Sequence, residues 1–173
     1  FPTETAAILL KALLEEGSGF ASDLRNAYKS LTRDKMLAPL YAEPRLEPIF
    51  RIVDWVYATP TSLHVRNPSG GSTVLSSENG TRQGDPFGML LFCLGIKAAI
   101  AAGLEAGGSN VKAVAVADDV NFVGPADGRA ATRATAAFIQ ACRPLELSFR
   151  GDKSALNFLE ATLHQETLDF AHE

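Results

Sequence analysis

Residues 111–125, VKAVAVADDVNFVGP, constrain the fold of this chain more than any other stretch. Val114 and Val116 alternate with Ala113, Ala115 and Ala117, and Val120, Phe122 and Val123 follow the acids Asp118 and Asp119. Short β-branched runs on either side of a break predict two buried strands joined by a tight turn. The break is Asp-Asp, not the Asn-Gly or Asp-Gly that favours a two-residue hairpin. Like charges held at such a tip repel, and apolar strands beside them sharpen the repulsion. A turn facing water would tolerate the pair; a divalent cation would remove the conflict. A local rule broken inside a consistent element marks a site more often than an accident.

The flanking sequence supplies the rest of a sheet and its helices. Pro2 to Glu16 predicts a helix with Thr3 and Thr5 as candidate N-caps, Ile8, Leu9, Ala12 and Leu13 on one face, and Gly17 as its stop. A short strand from Ser18 to Leu24 carries Asp23 at its end. Arg25 to Leu31 leads into a helical region, Arg33 to Leu40, interrupted by Pro39, Pro44 and Pro48. A helix over Glu47–Tyr57 sets Ile49, Ile52, Val53 and Val56 at helical spacing around Trp55. Ser62–Arg66 and Ser72–Ser77, separated by NPSGG, read as a hairpin with a glycine-rich loop. The polar loop Thr81–Pro86 follows, and Pro86 suits the first turn of a long helix, Phe87–Leu104, which Asp85 could cap. Beyond the acid-tipped hairpin come an alanine-rich helix, Asp127–Cys142, and a last strand, Leu145–Phe149. The core of this order is βαββαβ: an α+β, ferredoxin-like fold, an antiparallel sheet with helices packed on one face.

With 173 residues, the chain is long enough for one well-packed domain and short for two. No apolar run is long or uninterrupted enough to predict a membrane span, so no membrane insertion is expected. The opening FPTETAAILLKALLEEG lacks the basic start of a secretory leader. Cys93 and Cys142, both in apolar helical context, read as buried free thiols in a reducing, intracellular compartment. The net charge of −4 weighs against a nucleic-acid binder, which usually shows a basic footprint. Carboxylates gathered at a site offset part of that objection.

Three polar features stand at the ends of apolar elements: Asp23, the loop Arg82-Gln83-Gly84-Asp85, and the Asp118-Asp119 pair. In the expected sheet the first strand neighbours the acid-tipped hairpin, which brings Asp23 beside Asp118. Carboxylates on rigid strand ends make an oxygen-rich site for Mg²⁺, which takes a few carboxylates and fills its shell with water and phosphate. Two such ions would stabilise the attacking and leaving oxygens of an in-line phosphoryl displacement. No His or Cys spacing points to zinc.

These stretches resemble, in order, the motifs of a reverse transcriptase palm of the non-LTR retroelement and group II intron type. SDLRNAYKSLTR is similar to the family's first catalytic motif, an Asp followed five residues later by an aromatic. GTRQGDPFGMLLF resembles the Gln-Gly-Asp-Pro motif, AVADDVNFVG the Tyr/Phe-x-Asp-Asp hairpin, and LELSFRGDKS the short stretch ending in Lys. Together they span residues 19–157 of a single palm-like domain, and four in the family's order are far more specific than any one.

The resemblance implies RNA-directed DNA polymerase activity, with two Mg²⁺ (or Mn²⁺) held by Asp23, Asp118 and Asp119 and by the backbone carbonyl of Leu24. Tyr28 would exclude a 2′-hydroxyl beneath the sugar. Gln83 and Gly84 would border the incoming dNTP and template, Arg82 would touch phosphate, and Lys153 would protonate the leaving pyrophosphate. An RNA template and a DNA primer would be the partners. The sequence departs from the pattern at Val116, where the family has Tyr or Phe, and at Phe87 and Met89. Fingers before Asp23 and a thumb after the last strand are not found. A second expectation follows: a retroelement-derived palm without activity, kept as a structural subunit among other protein chains.

Overall fold

A computed structural model describes residues 2–82, 84–151 and 154–157. In chain order the elements are α1 (Pro2–Leu14), β1 (Gly17–Asp23), α2 (Ala27–Ser30), α3 (Arg33–Tyr41), α4 (Glu47–Tyr57), β2 (Thr61–Arg66), β3 (Ser72–Ser77), α5 (Gly88–Gly107), β4 (Lys112–Val116), β5 (Asp119–Pro125), α6 (Arg129–Cys142) and β6 (Ala155–Asn157). They fall into a first unit, residues 1–27 with 96–173, and a second, residues 28–95.

The first unit is built on an antiparallel sheet of order β4-β5-β1-β6. Register partners project to the same face of a sheet. On one face Ser22, Phe20 and Ser18 stand opposite Val120, Phe122 and Gly124. Val120 and Phe122 are fully buried there, and Phe138 of α6 meets Phe122 at 5.5 Å between ring centroids. Each such aromatic contributes about 1.5–3 kcal/mol by leaving water. Gly103 of α5 lies so close that a Cβ would sit 2.6 Å from Phe122 Cζ. The two buried serines are satisfied: Ser22 Oγ donates to the Val120 carbonyl and Ser18 Oγ to that of Ala126, both at 2.7 Å.

The other face carries Gly19, Ala21 and Asp23 opposite Val123, Asn121 and Asp119. Helix α1 lies against this face near Gly19, where Leu14 would meet a Cβ at 2.8 Å. The side chains that turn inward are Ala6, Leu10, Leu13 and Leu14, whereas Ile8 is 70% exposed and Leu9 50%. The expected face of Ile8, Leu9, Ala12 and Leu13 is therefore rotated, and only Leu13 belongs to both.

The final strand also differs from expectation. Arg143–Leu145 forms a 3-10 turn ended by Glu146 at φ +61°. Phe149 makes only an isolated bridge to Leu24. The strand that pairs with β1 is β6, through Gly19–Asn157, Phe20–Leu156 and Ala21–Ala155.

In the second unit α3, α4 and the start of α5 bury Met36, Leu40, Val53, Tyr57, Leu91 and Phe92. Helix α4 has the expected limits, but Trp55 is 84% exposed and the buried side is Val53 and Tyr57. Strands β2 and β3 form the expected hairpin, Leu63 opposite Leu75 and Val65 opposite Thr73. Two further corrections concern α5. Cys93 is exposed, and only Cys142 is a buried thiol. At 20 residues α5 is also long and apolar enough to cross a membrane, and Leu91, Phe92, Ile96 and Ala99 on it are buried.

Candidate active site

Antiparallel pairing of β1 with β5 sets Asp23 directly opposite Asp119. On its other side Asp119 pairs with Val116 of β4, so the turn of the β4–β5 hairpin is Ala117-Asp118 and Asp119 is already strand. The expected Asp-Asp turn is thus shifted by one residue. Ala117 takes φ +58°, a left-handed backbone that costs an L-residue about 1–2 kcal/mol and is usually given to glycine at this place in a two-residue hairpin. Pairing of β5 with two neighbours fixes the register, and the short turn must accept the strain.

The resulting cluster joins a residue from β1 to two at the hairpin tip. Asp23 and Asp118 are half-buried and Asp119 is exposed. The backbone of Asp23 is tied on the other side: its carbonyl accepts from Arg150 N–H at 2.9 Å and its N–H reaches Ser154 Oγ at 3.4 Å. Asp119 is exposed overall, yet partial burial of its carboxyl at the hairpin tip raises it above its ordinary range, and the neighbouring charges of Asp118 and then Asp23 push it further. The carboxylates therefore feel one another although Asp23 lies far from the other two along the chain. Leu24 follows in the same strand direction with its side chain buried and its backbone bridged to Phe149.

Among the described residues no three His, Cys, Asp or Glu side chains form a ready-made metal cage. The donors present are oxygens under mutual repulsion, which suits a hard cation that completes its shell from water and phosphate. Asp23 and Asp118 would hold it, with Asp119 alongside.

The remaining expected residues lie in the second unit. Tyr28 is half-buried, its ring 4.7 Å from that of Phe92, and it lines a cavity of about 370 Å³ with Lys29, Thr81, Arg82, Gly84, Asp85, Gly88 and Met89. Gly84 has φ +83° and open space where a Cβ would stand. The Arg82 guanidinium turns inward: Nη2 donates to the Val56 carbonyl at 3.0 Å and to Thr61 Oγ1, and its Cζ lies 5.8 Å from the Tyr57 ring centre. Gln83 and Lys153 lie outside the described residues.

Asp85 caps the turn ahead of α5, as its place before Pro86 suggests: its Oδ1 accepts the Phe87 N–H at 2.8 Å. Sequence reasoning missed Tyr57, which donates its hydroxyl to the other carboxylate oxygen, Asp85 Oδ2. Nothing local marks Tyr57 for that part.

No family model and no curated protein matches this sequence. Solved structures do. Apo telomerase from Candida tropicalis, truncated from its C-terminal domain, superposes with a TM-score of 0.67 at 14% identity, covering 92% of this chain and 35% of that one. Telomerase from Candida albicans in complex with a TWJ fragment of telomeric RNA gives 0.63 at 12% identity, covering 94% and 30%. The corresponding RNA complex from Candida tropicalis gives 0.64 at 11%, covering 89% and 29%. The chain spans about a third of the length of the telomerase chains it matches. It shares their fold in that segment, a reverse-transcriptase-like, palm-like α+β architecture.

Proposed function

We propose that this chain is the palm of an RNA-directed DNA polymerase, transferring dNTPs to a primer 3′-hydroxyl with Asp23 and Asp118 as the principal metal ligands. The observation that carries this reading is the pairing of Asp23 with Asp119 at the hairpin tip, beside Asp118. Two Mg²⁺ bound there would supply Lewis-acid stabilisation of the attacking and leaving oxygens. Asp23 and Asp118 would orient and balance that charge from rigid strand ends, and Asp119 would add to the local negative field. Tyr28 would set the floor beneath the sugar, with Gly84 leaving backbone room beside the nucleotide. Lys153 would give its proton to pyrophosphate. The resemblance to telomerase, with RNA present in two of the matched structures, supports a nucleic-acid partner, which this reading takes to be an RNA template.

The test is primer extension on an RNA template with Mg²⁺. Incorporation by the protein, with loss of about a thousandfold or more in Asp118→Ala, supports the reading. Equal incorporation by wild type and Asp118→Ala, or none by either, overturns it. A second reading is a catalytically silent palm serving as an interaction subunit. It draws on the net charge of −4 and on the exposed Trp55 and Ile52 along one side of α4, a side suited to protein partners. Absence of incorporation together with loss of partner binding in Trp55→Ala would favour it.

A further inference from the structure

Away from the carboxylates, a second polar cluster surrounds a buried tyrosine in the second unit. Tyr57 is 1% exposed, and two guanidinium groups lie near its ring, Arg33 at 5.4 Å and Arg82 at 5.8 Å from its centre. Arg33 is held separately, Nη1 donating to the Thr59 carbonyl at 2.9 Å and Nη2 to Ser77 Oγ at 3.3 Å. The hydroxyl of Tyr57 accepts the backbone N–H of Arg82 at 3.2 Å and donates to the carboxylate of Asp85. It therefore ties the first residue of the turn to the last. The turn is closed across its own backbone by Asp85 N–H to the Arg82 carbonyl at 3.2 Å, with Gly84 at positive φ near its apex. Nothing crowds Gly84, so its placement depends on the two ends of the turn.

We infer that Tyr57 is the positioning residue of the Arg82–Asp85 turn, fixing through its hydroxyl the angle at which Gly84 meets the incoming nucleotide. This rests on the polymerase reading for the identity of the ligand, while the tie itself does not. Burial, and then the Asp85 carboxylate, raise the phenol to about 12, so the hydroxyl stays protonated and donating throughout the working pH range. Tyr57→Phe keeps the ring beside both guanidiniums and removes only the tie.

Two measurements test it on the protein. In hydrogen exchange, Tyr57→Phe is expected to speed the amides of Arg82, Asp85, Phe87 and Gly88 by about tenfold while those of β1 and β5 are unchanged. Unchanged protection of those amides overturns the inference whether or not the protein is a polymerase. In primer extension, KM for dNTP is expected to rise by about tenfold with a much smaller fall in kcat. Asp85→Asn should raise KM similarly, and the double variant no further than either single change. A polymerase whose KM is the same in Tyr57→Phe, or whose single effects simply add, overturns the positioning role and leaves the catalytic reading standing. If wild type and Asp118→Ala both fail to extend a primer, the catalytic reading falls and the exchange result alone decides for Tyr57.

Discussion

Replacing Asp119 by Asn should stabilise the protein in the absence of divalent cations and lose that advantage when Mg²⁺ is added. Asp119 faces Asp23 across the β1–β5 ladder. Directly opposed Cβ atoms lie about 5 Å apart, and two unit charges at that distance repel by roughly 0.8 kcal/mol in water and roughly 3 at the effective dielectric of a protein surface. Because Asp119 is exposed, the lower figure is the relevant one, and the charge of Asp118 adds a comparable amount. Salt screening of these exposed charges trims the combined repulsion to about 1 kcal/mol, and its relief corresponds to about 2–4 °C in Tm for a chain of this size. The carboxyl titrates above its unfolded value, so the folded state binds more protons between the two pKa values and stability falls as pH rises through that window. Below the unfolded value, about 3.9, the penalty vanishes; above the folded value it is complete. Thermal melts from acid to neutral pH should therefore show wild type falling behind Asp119→Asn. At ten times its dissociation constant Mg²⁺ would stabilise wild type by about 1.4 kcal/mol, enough to reverse the order if the substitution weakens binding. Identical midpoints without cation at neutral pH, or equal gains with Mg²⁺ in both proteins, would refute the shared-charge reasoning.

Three further expectations follow from the same geometry. Ala117→Gly should raise stability by about 0.5–1 kcal/mol in urea melts, because release of the left-handed strain exceeds glycine's added unfolded-state entropy. Gly103→Ala should cost about 1–3 kcal/mol, since the new methyl meets Phe122 Cζ and the Ala134 carbonyl; an unchanged urea midpoint would show that α5 yields freely. Tyr28→Ala should increase ribonucleotide incorporation relative to deoxyribonucleotide by at least about tenfold in primer extension; unchanged selectivity in an active protein would remove Tyr28 from the sugar site.

Period-two alternation around Asp118 was legible because a half-buried strand imposes it, and with β1 it sufficed to place Asp23 near the hairpin tip. The turn itself was misplaced by one residue. Turn preferences are local, whereas the register of Asp119 is set by its pairing with Asp23 and Val116, and no rule based on glycine looks for Ala117 at φ +58°. The last strand failed for a related reason: Leu145–Phe149 alternates apolar residues with Glu146 and Ser148 as a strand would, but Glu146 ends a 3-10 turn and Phe149, beyond its single bridge to Leu24, makes an edge-on contact with Phe138 at 5.6 Å. In α1 the run AAILLKALL is apolar on nearly every side, so periodicity cannot choose which side meets the sheet. Tyr57 lies 25 and 28 residues from its two partners in the turn. Its role exists only after folding.

The β2–β3 hairpin has a practical consequence for handling the protein. Leu63, Val65, Val74 and Leu75 are each 45–56% exposed, and no acidic residue occurs between Pro60 and Ser77. Bare strand margins with so little charge recruit further strands from other molecules. Concentrated preparations should accumulate intermolecular sheet with time, visible as growing light scattering, and Val74→Lys should raise the solubility ceiling by placing a charge on an edge strand.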